Sequence, residues 1–79
     1  MKASPEFTHV LLHLDGHWRV VRTLTNPSDA ELKTALNQIE RTHPTAAAAR
    51  VVWSTSDDAA TIEARVNLET DFARGSVAL

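Results

Sequence analysis

Three histidines sit near the start of the chain at positions 9, 13 and 17, and imidazole both ligates metals and changes charge near neutral pH. If a three-residue loop joins the strands that carry them, His13 and His17 face each other and His9 lies two positions along the same face. Imidazoles so placed could hold a divalent cation, with Glu63 or Glu69 completing its shell. The chain has no cysteine and no His-Glu-x-x-His pair, so no metal site is assigned. Arg19 shares the histidine face, which would make association there pH-sensitive. Arg65 and Arg22 would extend it toward phosphate contacts.

Catalytic patterns are missing. No Gly-x-Ser-x-Gly turn raises a nucleophile, and Gly16 and Gly75 alone cannot form a glycine-rich phosphate cradle. Asp57 and Asp58 form a carboxylate pair, but turn chemistry explains them without acid–base work. The expectation is a chain that is not an enzyme and carries no cofactor. Trp18 and Trp53 both fall on inward positions, where indoles pack a core and leave no exposed aromatic for base stacking.

The elements that must position these residues begin with the run from His9 to Arg22, broken by Asp15-Gly16. Asp-Gly between two β-prone runs signals a hairpin. A two-residue turn would leave both faces mixed. A three-residue loop with a bulge at Gly16 pairs Leu12 with Trp18 and Val10 with Val20, and so gives one clean apolar face. That register predicts Val10, Leu12, Trp18, Val20 and Leu24 inward, packed beneath a helix. It places His9, Leu11, His13, His17, Arg19 and Val21 on the opposite, polar face.

Ser28 with Glu31 three residues later forms a capping box, and Leu32, Ala35, Leu36 and Ile39 then recur at helical spacing until Pro44. Residues 50–55 read as a third strand. Residues 61–69 alternate strictly, Ile62, Ala64, Val66 and Leu68 against Glu63, Arg65, Asn67 and Glu69, and predict a fourth strand. The expected fold is α+β, a ββαββ chain with a four-stranded antiparallel sheet and one helix on a single face. Residues 1–7 are expected to be a disordered or vector-derived leader, residues 8–69 the domain, and residues 70–79 a flexible or partner-docking tail.

The stretch of residues 10–22, with Asp15-Gly16, Trp18, Val20 and Arg22, resembles the opening hairpin of a small bacterial ββαββ family of uncharacterised function. The helix and two later strands follow in the same order, although the second turn here lacks a glycine. The resemblance implies a fold and transfers no activity. Residues 19–72 are similar in element order to the dodecin flavin carriers, in which strand tryptophans enclose a planar ligand. The extra first strand departs from that plan, and no residue is carried across.

With 79 residues and a net charge of −2, the chain has no general electrostatic drive toward nucleic acid or anionic membranes. It has no apolar run long enough to span a bilayer, and the absence of cysteine suits a reducing cytoplasm. The sheet edges carry no proline or lysine guard, which favours self-association. The function expected is therefore a non-enzymatic, homodimeric binding or regulatory module that also meets an unidentified protein partner. The contact residues expected are His9, Leu11, His13, His17, Arg19, Val21, Arg65 and Phe72. The alternatives are nucleic-acid binding through the His/Arg face and a small-ligand carrier with tryptophans at a subunit interface.

Overall fold

A computed structural model describes the backbone of residues 5–78 and the side chains of residues 5–70. The chain runs β1 (Phe7–Leu14), β2 (His17–Thr25), α1 (Asp29–Thr42), β3 (Ala49–Ser54) and α2 (Ala59–Ala78). The strands form one antiparallel sheet in the order β2-β1-β3. α1 packs on one face, where Val10 and Leu12 meet Ile39, Leu32 and Leu36. α2 packs on the other, where Leu11 meets Ile62 and Val66. The class is α+β, but the expected four-stranded ββαββ sheet with one helix is overturned. A second helix stands in place of the fourth strand, and the order ββαβα departs from the plan of both families resembled in the sequence.

The hairpin turn explains one half of the difference. Asp15 (φ 52°) and Gly16 (φ 83°) both lie in the left-handed region, the signature of a two-residue type I′ turn whose twist matches the flanking strands. It closes on Leu14 opposite His17, so Leu12 faces Arg19 and Leu11 faces Val20. The three-residue loop with a bulge at Gly16 does not form. The two-residue turn leaves both hairpin faces partly apolar, which a single covering helix could not bury. Here this carries no penalty, because a helix covers each face. A bulge does occur, but further along, where Val21 is the extra residue between the pairs Leu11–Val20 and Val10–Arg22. It turns both Val21 and Arg22 toward α1, so that Val21 joins that core and Arg22 donates to Gln38 Oε1 at 3.0 Å.

The second half lies in residues 61–69. Ile62 and Val66 are four apart, a spacing that suits one face of a strand and one face of a helix equally. Both are buried, whereas Leu68, which a strand would also turn inward, is 68% exposed. Asp58 starts the helix: its Oδ1 accepts from the Thr61 N–H (3.3 Å) and its Oδ2 from the Thr61 hydroxyl (2.7 Å). Those bonds, led by the Thr61 hydroxyl, hold the Asp58 carboxyl below its ordinary value. α2 continues through residues 71–78, the stretch expected to be a tail.

α1 forms as its capping box requires. The Glu31 N–H donates to Ser28 Oγ at 3.1 Å and the Ser28 N–H donates to Glu31 Oε1 at 3.2 Å. Between the two helices, β1 is buried on both sides: Thr8, His9, Val10, Leu11 and Leu12 are all lost to solvent. That burial pattern is the one expected of a central strand covered by helices above and below.

Candidate functional site

The residues expected to share one polar face are dispersed. His9 is wholly buried on the α2 side. Its Nε2 donates to the Ser56 carbonyl at 2.9 Å, and its Nδ1 lies 2.9 Å from the Thr23 hydroxyl. A carbonyl only accepts, so Nε2 carries a hydrogen and both ring nitrogens are spent on internal bonds. Leu11 is core, under Ile62 and Val66. His13 is half-buried and meets the edge of Trp18, with ring centroids 5.1 Å apart at 69°. It faces Trp18 across the hairpin, and His17 faces Leu14 instead.

Strand parity puts His17 and Arg19 on the α1 side, both exposed, where Val21 is half-buried against the core. Arg65 is exposed on α2, on the other side of the sheet. Of the expected His/Arg face the structure therefore keeps only His17 and Arg19 together, with His9, His13 and Arg65 on the other side of the sheet. Among the described residues no group of three or more His, Asp or Glu side chains is placed to hold a metal ion. The side chain of Phe72 lies outside the described residues.

The tryptophans separate as well. Trp18 packs partly buried against Leu11, Ile62 and Val66, under α2 and not beneath Leu32, Leu36 and Ile39 as the sequence suggests. Trp53 pairs with Thr8, on the α1 side of β3, and is 60% exposed. The strand pattern of the sequence puts it inward, and the structure does not. Trp53 borders a recess with Thr8 and with Asp29 and Leu32 at the start of α1, but that contact leaves most of the indole uncovered. The indoles lie on opposite faces of the sheet and cannot enclose a common planar ligand within one chain.

What the structure does assemble is a contrast between the sheet edges. Toward the turn, β2 directs the backbone groups of Trp18 and Val20 away from β1, because antiparallel pairing alternates their direction. α2 meets those groups with side chains. The Trp18 N–H donates to Asn67 Oδ1 and Asn67 Nδ2 donates to the Trp18 carbonyl, both at 2.9 Å. The Val20 N–H donates to Glu63 Oε1, also at 2.9 Å. One amide thus imitates the paired donor and acceptor of a neighbouring strand. The match is geometric: four helical residues rise about 6 Å, and two strand residues advance about 6.8 Å.

β3 forms the other edge. Its pairing with β1 turns the backbone groups of Ala49, Val51 and Trp53 outward. Among the described residues no side chain or backbone group bonds to them. The ion pair from Arg50 to Glu69, 3.4 Å long and solvent-exposed, ties β3 to α2 on the far face without covering the edge. Beside the start of β3 on the α1 side lies a cavity of about 440 Å³. Buried Leu12 and Ile39 form its floor with Leu36, and exposed Pro44, Ala48 and Ala49 lie at its rim. His43 and Glu40 add polar groups to the lining.

Sequence reasoning missed this edge because Trp53 alternates correctly for a core residue, and nothing local reveals how little of its indole is covered. It missed the Glu63–Asn67 bracket because those residues read as the wet side of a strand. Their four-residue spacing is the signal that a helix reading would have used. No helix among the described residues is long and apolar enough to cross a membrane. No protein-family model matches this chain, and no curated protein or solved structure matches it.

Proposed function

We propose that this protein is a small non-enzymatic association module that engages another protein chain along the free edge of β3. One observation carries the reading: toward the turn, Asn67 and Glu63 bond the outward groups of Trp18 and the Val20 N–H of β2, while among the described residues the outward groups of β3 have no partner and Trp53 is 60% exposed beside them. Exposed sheet edges recruit added strands unless they are blocked, and a large exposed indole is an effective anchor for such contacts. The cysteine-free sequence suits the reducing cytoplasm in which we place this activity. Arg19 and Arg22 share the α1 side of the sheet, but Arg65 lies on α2 on the opposite side, which divides the surface that phosphate contacts would need.

Photo-crosslinking in living cells tests the reading. A photoreactive residue at Thr55, immediately after β3, is expected to yield protein adducts, and one at exposed Lys33 on α1 is not. Adducts to nucleic acid, no adducts from Thr55, or equal protein adducts from both positions would overturn it.

A further inference from the structure

We infer that the occupant of the β3 edge is a second copy of this chain, added antiparallel about a two-fold axis at Val51, with Trp53 of each copy packed on Ala49 of the other. The inference rests on the association reading and names its partner. It starts from the backbone. Only Ala49, Val51 and Trp53 direct their hydrogen-bonding groups outward, so an added β3 must bring its own outward residues opposite these three.

Two symmetric registers, centred on Val51 and on Val52, each overlap five residues of this six-residue strand, but only the one centred on Val51 pairs all three outward residues. It sets Val51 against Val51 and Trp53 against Ala49. Residues directly opposite share a face, with Cβ atoms about 5 Å apart. The largest side chain of β3 therefore meets the smallest, twice over. Arg50 falls opposite Val52, so no like charges are apposed.

The second observation is the cavity. Ala48 and Ala49 lie on its lining, at the end of β3 away from Trp53, and on the same α1 side of the sheet. The two-fold operation carries the partner's Trp53 to that end, beside an apolar recess of about 440 Å³. Each copy thus supplies the indole and each supplies the recess, the self-complementarity that a closed two-fold contact requires. The result is a continuous six-stranded sheet with both β2 edges outermost, where Asn67 and Glu63 already occupy the backbone groups of Trp18 and Val20. A contact of five residues per strand is small, so the dimer belongs to the weak class, with a micromolar dissociation constant.

Sedimentation equilibrium of the full chain across the micromolar range tests this, with circular dichroism to check folding. Reversible dimerisation is expected. Trp53→Ala, a change at an exposed residue, should raise the dissociation constant about 30-fold or more. Val51→Pro removes an N–H that points away from β1, which an edge strand tolerates, and should abolish the dimer while the fold persists. A chain that stays monomeric to high micromolar concentration, or a dimer unchanged by both variants, overturns the inference. The Thr55 crosslink separates the two levels: adducts to a different protein alone would refute the self-pairing and leave the association reading intact. Absence of any protein adduct would remove both.

Discussion

The edges of one sheet have opposite fates, decided by where α2 lies. β2 has an element alongside whose side chains, at Glu63 and Asn67, reproduce the spacing of a strand's hydrogen-bonding groups. β3 meets α2 on its inner face, through Val52 beside Ile62 and Val66 and through an exposed ion pair worth little in free energy. Among the described residues no α2 side chain bonds its outward backbone groups. The general lesson is that a helix can close a sheet edge without adding a strand. It needs an acceptor and an amide one turn apart, and an axis that follows the edge.

The largest test of this contrast removes the packing that holds α2 in place. Ile62→Ala empties a site between Leu11 and Val66 and should cost about 2–5 kcal/mol in chemical denaturation. Faster amide exchange at Trp18 and Val20 should accompany it. A cost well under 1 kcal/mol would mean that α2 contributes little to closing β2.

Next comes the bracket itself. Asn67→Ala leaves the Trp18 N–H and carbonyl without their partner and should cost about 1–3 kcal/mol. It should also make β2 as prone to pairing as β3, visible as assemblies beyond a dimer in sedimentation. Unchanged stability and unchanged assembly would erase the distinction between the edges.

Ser28→Ala acts on neither edge. It removes the capping oxygen of α1 and should cost about 1 kcal/mol, with the dissociation constant of any dimer unaltered. A change in assembly would show that α1 participates in the β3 contact.

The smallest effect concerns Asp58, whose carboxyl is held below its ordinary value by Thr61. A group whose acidity is strengthened on folding stabilises the fold while ionised. That contribution is present above the unfolded-state value, about 3.9, and disappears as pH falls through the lower folded-state value. Fully exposed to solvent, Asp58 should give a slight effect. Comparison with Asp58→Asn, which keeps an acceptor but does not titrate, should show the variants converging in stability on acidification. Parallel curves would mean that the Thr61 bonds do not depend on the charge.

Much of the α1 half of the molecule was legible in the linear chain. Ser28 with Glu31, the spacing of Leu32, Ala35, Leu36 and Ile39, and Pro44 are local signals, each acting within a few residues. The α2 half was not. Ile62 and Val66 satisfy both periods, and the Asp58–Thr61 cap looked like an ordinary turn. That one ambiguity propagated: without a second helix, the histidine side of the hairpin had to be a wet face, and Gly16 had to sit in a bulge to clear the other face of polar groups. The candidate edge was illegible for the same reason, since its exposure depends on which strand each helix covers.

By itself the sequence determined the hairpin at Asp15-Gly16, the start and stripe of α1, the third strand and the α+β class, because turns, caps and periodicity are decided by neighbours in the chain. Tertiary structure alone decided the register, the identity of the last element and the two edges. A type I′ turn that sets Trp18 and Val20 on the Leu11 face, opposite Val10 and Leu12, leaves apolar side chains on both faces. It is stable only if both are covered, and that cover comes from residues about 20 to 55 positions away in sequence.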